Sequence, residues 1–291
     1  MRDFIITTDS NADLPADFIK EHQLTIIPQY YAFGDVVYGD ERNLTPEEFY
    51  TMMEKGDLPT SMANNPAVIR DKFEKILQED KDILHIAFSS TLSGSYNNVV
   101  MIAKELMEEY KDSTISVVDT LNVSLGEAFF VMEAIDRKKS NQTMDQIKLW
   151  LENNRQNSHV EFTVDDVNHL YRGGRISKTT SIVLGIVNIK PLLYLTPEGK
   201  LASKGTIRGR KRSLSALVKN MGDHITSETR CKRVGIVHAK AIEDAQFVAS
   251  LVAETYPDAE VIINDISPSI GTHAGPGAIG ICYLVLPEES M

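Results

Sequence analysis

The sequence predicts an α/β fold in two domains, a parallel sheet with helices followed by a mixed sheet with helices. Two observations predict it. Three times in the N-terminal half an apolar run ends in a small polar turn and passes into a helical pattern: FIITTDSNADLPADFIKEH, ILHIAFSSTLSGSYNNVV and ISVVDTLNVSLGEAFFVMEAI. Strands alternating with helices imply βαβ units and a parallel, Rossmann-like sheet. From residue 160 onward the strict βαβ rhythm is lost, which predicts a mixed sheet packed by helices.

Residues 83 to 88 read as a buried strand and residues 95 to 110 carry apolar positions at helical spacing. The serine-rich turn between them therefore opens a helix at a strand's carboxyl end, where open α/β sheets bind ligands. The turns holding Asp9 and Ser10, Ser89 to Gly94, and Asp119 and Thr120 should line one edge of the sheet. Between the first two units, TIIPQYYAFGDVVYGDE reads as a hairpin, and LTPEEFYTMMEKG and PAVIRDKFEKILQE read as helices with Pro near the first turn. After the helix TMDQIKLWLENNRQ, the polar stretch NRQNSH marks a boundary, giving domains 1–157 and 158–291. In the second domain HVEFTV, PLLYLTPEGKLASKGTI, RVGIVHA, AEVIINDI and AIGICYLVL read as strands, the second as a hairpin around PEGK. Helices are predicted at RKRSLSALVKNMGDHI and AIEDAQFVASLVAETY, and Ile182, Val183, Ile186 and Val187 read as a core helix.

A chain of 291 residues with 42% hydrophobic and 24% charged residues buries a full core. The N-terminus lacks the apolar block of a signal peptide, and SIVLGIVNI is too short to span a bilayer, so the chain reads as cytoplasmic. Cys231 and Cys282 stand alone, which argues against a disulfide framework or a zinc site, and no metal is expected. A net charge of −11 argues against nucleic acid as a partner. The charge is unevenly placed: residues 172 to 212 hold ten Lys and Arg against one acid, Glu198. Such a local cationic segment on an anionic body suits a docking face.

Three places carry candidate chemistry. Ser93, Gly94 and Ser95 sit where a helix start offers unpaired N–H groups to an anion, although serine is also a preferred N-cap. LYRGGRIS places two arginines around a Gly pair. GTHAGPGAIG, with four glycines and a proline, cannot be a helix interior and reads as a turn fixing His273 near a strand start. Histidines 22, 85, 159, 169, 224 and 238 read as structural. Two functions fit these residues. Ser93, Asp119 and His273 occur in the order of a serine-dependent acyl hydrolase triad, but T-L-S-G-S lacks the glycine two before the serine that a nucleophile elbow uses. The other reading is a binding protein whose serine hydroxyl, helix N–H groups and histidine hold a carboxylate or phosphate without reacting.

TDSNADL at 8–14, PTS at 59–61, SSTLSGSY at 89–96, VVDTLNVSLG at 117–126, LYRGGRIS at 170–177 and HAGPG at 273–277 together resemble the DegV family, in order and over nearly the whole chain. The resemblance implies a two-domain α/β protein that binds a long-chain fatty acid noncovalently between its domains, with no other cofactor. It also implies a carrier, not an enzyme: the acyl-binding subunit that presents the carboxylate to a fatty acid kinase catalytic subunit, which makes the acyl phosphate. By position, Ser93 matches the serine that hydrogen-bonds the carboxylate, Gly94 gives backbone approach, and Thr60 and Ser61 lie in the neighbouring hydroxyl turn. His273 and Arg172 match residues tied to the carboxylate network. The sequence departs from the family at MANNP, 62–66, just after Ser61.

Such a ligand is held by its tail. Burying about fifteen methylenes at ~0.8 kcal/mol each gives an upper bound of roughly 12 kcal/mol before association costs. The carboxylate must still be hydrogen-bonded, or several kcal/mol would be lost. Arg175, Arg208 and Arg210 then supply the docking face for the kinase and, transiently, for an anionic membrane surface.

Overall fold

The first strand, Phe4–Asp9, is buried along nearly its whole length, which suits the middle of a sheet covered on both faces. In the computed structural model, which describes residues 2–177 and 188–288, it pairs in parallel with Thr25–Ile27 on one side and Asp82–Ala87 on the other. Ile115–Asp119 completes a four-stranded parallel sheet. Asp9, Ala87 and Asp119 end their strands side by side, so the three polar turns do line one edge.

The predicted hairpin is divided by Pro28. Thr25–Ile27 joins the parallel sheet, while Tyr30–Phe33 and Val36–Tyr38 form the hairpin. Proline cannot donate to a ladder, so the chain changes sheets there. Thr60–Met62 pairs with Tyr30–Phe33 to make a three-stranded antiparallel sheet, so Thr60 and Ser61 of the PTS segment are strand and not turn. The helices Pro46–Glu54 and Pro66–Leu77 begin at proline as expected, the first with a Thr45–Glu48 capping box.

The C-terminal strands form one mixed six-stranded sheet. Ser158–Thr163 lies between Ile189–Leu195 and Ile279–Pro287, with Leu201–Arg208, Thr229–His238 and Glu260–Asp265 outside them. Ile189–Leu195 and Leu201–Arg208 are the predicted hairpin around PEGK. Helices Arg210–Met221 and Ile242–Thr255 cover this sheet over a core that includes Leu214, Leu217, Val248 and Ile281. Ile182, Val183, Ile186 and Val187 lie outside the described residues.

Helix Leu125–Lys139 joins the two sheets. It is apolar around most of its circumference and packs on Phe4–Asp9 and Asp82–Ala87 as well as on Thr229–His238 and Ile279–Pro287. Among the described residues no helix is long and apolar enough to cross a membrane.

Candidate functional site

The turn 88–94 is anchored from below and from the side. Asp9 Oδ2 accepts the Phe88 N–H at 3.0 Å, and Asp119 Oδ1 accepts the Ser90 N–H at 3.2 Å. Ser89 Oγ donates to Gly199 O at 3.0 Å, and Thr91 donates to the same carbonyl, so the PEGK hairpin of the six-stranded sheet sits on the turn. A Cβ on Gly199 would lie 2.4 Å from Ser89 Oγ, which keeps that contact for glycine. With its flanks fixed, the turn presents Ser93 and Gly94 to a cavity.

That cavity is mainly apolar. Phe88, Leu92 and Val123 come from the parallel-sheet side, Val160, Phe162 and Val237 from the six-stranded sheet, and Ile266 and Ile270 from the segment leading into His273. About 180 Å³ is open to the centre of a water molecule, more than ten times the ~10–15 Å³ that one water needs. The polar part of the lining comes from Ser61, Ser93, Gly94, Arg175 and His273, with Asn11, Ser124 and Ser269 also on the wall.

Ser61 Oγ and His273 Nε2 are 2.7 Å apart. His273 lies in the last turn of a helix, Pro268–Ala274, and not in the predicted glycine-rich turn. Pro268 opens this helix, and Gly271 inside it lies so close to Phe49 and Tyr50 that a Cβ would meet the Tyr50 hydroxyl at 2.4 Å. Packing that admits only glycine outweighs its weak helix propensity. Likewise LYR of LYRGGRIS ends a short helix, Asn168–Arg172, and the turn begins at Gly173. Gly173 passes directly over the imidazole: a Cβ there would lie 1.8 Å from His273 Nδ1. Burial and the neighbouring Arg175 charge lower the His273 pKa to about 4, so the ring is neutral at pH 7.

Arg175 donates through Nε to Leu92 O at 3.0 Å and lines the cavity, so it belongs to the site as well as to the cationic segment. Arg172 is exposed, bonded to His169 Nδ1 at 2.7 Å, and does not line the cavity. Thr60 is also exposed and does not line the cavity, whereas Ser61 and the next residue, Met62, both do. Arg208 is exposed. Arg210 is not a free docking residue: it donates to Asp165 at 3.2 Å, Asp244 at 2.8 Å and Gly277 O at 2.6 Å, bracing the loop that follows His273.

The triad is not assembled. Ser93 Oγ contacts Ser95 Oγ at 2.9 Å, the Asp119 carboxylate accepts the Ser90 and Leu121 N–H groups, and His273 Nδ1 has no hydrogen-bond partner among the described residues. A general base must reach the nucleophile and be oriented by a carboxylate, whereas His273 is hydrogen-bonded to Ser61 and not to Ser93, and no carboxylate holds its Nδ1. No cluster of His, Cys, Asp or Glu among the described residues is arranged for a metal ion.

Several residues of the site were not visible in the sequence. Gln29 and Asn64 are buried behind Ser93, where they hydrogen-bond Ser95, a residue the sequence did single out, and Asn64 is drawn from the divergent MANNP segment. Ser124 sits on the cavity wall at φ 53° and ψ −140°, a conformation rare for a residue with a side chain, and its hydroxyl donates to the buried Asp13 carboxylate.

An α/β molecule whose apolar cavity also carries hydroxyls, a neutral imidazole and a guanidinium has the lining of a binding protein for an amphipathic ligand. The chain belongs to the DegV family: residues 3–286 match the family model described as "Uncharacterised protein, DegV family". A DegV domain-containing protein of Clostridium perfringens is 34% identical over 286 residues, 98% of each chain. The fold is similar to that of a fatty-acid-binding DegV family protein from Thermus thermophilus, with TM-score 0.89, 26% identity and coverage of 98% of this chain and 100% of that one. A DegV lipid-binding protein from Thermotoga maritima gives TM-score 0.87 and 26% identity, over 98% of this chain and 99% of that one.

Proposed function

We infer that this protein binds one long-chain fatty acid noncovalently, its tail in the apolar cavity and its carboxylate among Ser61, Ser93, Gly94, Arg175 and His273. The observation that carries this reading is the cavity's lining: apolar walls drawn from both sheets, with hydroxyls, Arg175 and a Ser61–His273 pair on the same wall. Likeness to DegV structures that bind fatty acids supports it. A neutral His273 hydrogen-bonded to Ser61, with an arginine nearby, suits a carboxylate that must be held without reaction.

In this reading residues 1–157 supply the carboxylate turn, and residues 158–291 cover the chain of the acid. The protein is a cytoplasmic carrier that presents the carboxylate to a fatty acid kinase catalytic subunit and exchanges acid at an anionic membrane surface. Arg172 and Arg208, both exposed, are the docking residues, with Arg175 reaching from that face into the site. Added palmitate or oleate should raise the melting temperature by mass action, and the corresponding methyl esters should raise it much less. Equal shifts with acid and ester would remove the carboxylate from the account.

A further inference from the structure

Ser93 belongs to a hydrogen-bond chain whose direction is set at its buried end. Gln29 is 3% exposed and Ser95 1%. Ser95 Oγ donates to Gln29 Oε1 at 2.6 Å. The other end of the amide, Nε2, has no hydrogen-bond partner among the described residues, and the Gln29 side chain lies near enough to the Asp9 carboxylate to favour its charged form. Turning the amide over would set its oxygen against that carboxylate, so the oxygen stays toward Ser95.

A serine hydroxyl has one proton and two lone pairs. Ser95 gives its proton to Gln29, and its oxygen accepts the Asn64 N–H at 3.2 Å. In the 2.9 Å contact between Ser93 Oγ and Ser95 Oγ the proton therefore comes from Ser93. Ser93 Oγ also accepts the Ser95 N–H at 3.2 Å. Toward the cavity Ser93 is left with a lone pair and no proton.

We propose that Ser95 and Gln29 are positioning residues that hold Ser93 as an acceptor in the ligand-free site, so that an ionised fatty acid binds only when Ser93 turns its proton from Ser95 to the carboxylate. This rests on the fatty-acid reading above. Removing the acceptor behind Ser93 frees its proton in advance, and the site then gains affinity for an anion instead of losing it. A long-chain alcohol donates its own hydroxyl to the Ser93 lone pair, needs no turn and gains nothing.

The experiment is calorimetric binding of laurate and of dodecanol at pH 8 to the wild type, Ser93→Ala, Ser95→Ala and Gln29→Met, each checked for cooperative melting. Losing one neutral hydrogen bond on turning corresponds to a factor of about two to ten. Ser95→Ala or Gln29→Met should therefore bind laurate about two- to tenfold more tightly with dodecanol unchanged, and Ser93→Ala should bind laurate more weakly. Ser95→Thr, which keeps the hydroxyl, should return laurate binding to the wild-type value. Unchanged or weaker laurate binding in both folded variants overturns the relay and leaves the fatty-acid reading standing. A wild type that binds no laurate overturns both.

Discussion

Ser61, inward on an edge strand of the three-stranded sheet, meets His273, in the last turn of a short helix, through a 2.7 Å hydrogen bond that spans 212 positions of the chain. Neither side chain holds this geometry alone. The ring is clamped by Gly173, and the strand is registered by its pairing with Tyr30–Phe33.

Gly173→Ala tests the clamp. The backbone there has φ −72°, which alanine adopts freely, so the only new element is a methyl group 1.8 Å from His273 Nδ1. Overpacking of this kind costs roughly 1–3 kcal/mol. We expect a lower melting temperature together with loss of most of the fatty-acid-induced rise. A variant that still gains the full rise would show that His273 does not need its place.

Ser93→Ala removes a hydrogen bond to a charged group, about 1.5 to 3 kcal/mol, offset in part because the hydroxyl no longer has to leave Ser95. Affinity for palmitate should fall about tenfold, read by calorimetry. The wild type should not label at Ser93 with a fluorophosphonate and should not turn over acyl esters, because His273 is engaged with Ser61. Stoichiometric labelling would restore the hydrolase.

Arg208→Glu and Arg210→Glu should part company. Arg208 is exposed, so its reversal should leave melting unchanged and weaken association with anionic vesicles, an effect that fades as salt rises. Arg210 holds two carboxylates and the Gly277 carbonyl with a side chain 22% exposed, and its reversal should destabilise the fold by about 1–3 kcal/mol. Matching effects of the two substitutions on melting would contradict this division.

Glu127→Gln should stabilise the protein increasingly as pH rises. Burial, and then the charge of Asp9, push the Glu127 carboxyl well above its ordinary 4.5, with Asp13 and Asp119 adding to the effect and Thr8 opposing it. A raised folded pKa means that the folded state holds a proton the unfolded chain has released, so stability present below about pH 4.5 is lost as pH climbs toward the folded value. A glutamine side chain does not titrate, and its amide oxygen can accept from Thr8 as Glu127 Oε1 does at 2.9 Å. Denaturant melts of both proteins from about pH 4 to about pH 9 should diverge upward. A constant difference would mean that Glu127 titrates alike in the folded and unfolded states.

The strands, most helices and the serine turn were legible because each rests on local periodicity and turn chemistry. Thr60 shows where that failed: it is an exposed residue on a strand of three, and a run that short shows no period to separate it from Ser61. His273 was placed in a turn because Gly271 and Gly275 argue against a helix, and only the packing on Phe49 and Tyr50, more than 200 positions away, explains the glycine inside one. Arg210 read as surface charge because its partners, Asp165, Asp244 and Gly277, come from three distant segments. Gln29 lay beside an apolar run with nothing local to mark it, and its meaning arises from Asp9 and Ser95.

The central claim is that the cavity carries a fatty acid, and it is tested most directly by mass spectrometry of the protein purified from cells without added lipid, once native and once after denaturation. The account predicts a native mass heavier than the 32.5 kDa chain by one long-chain fatty acid, released intact on denaturation, with no covalent adduct on Ser93. A native mass equal to the chain alone, unchanged after incubation with palmitate or oleate, would contradict it.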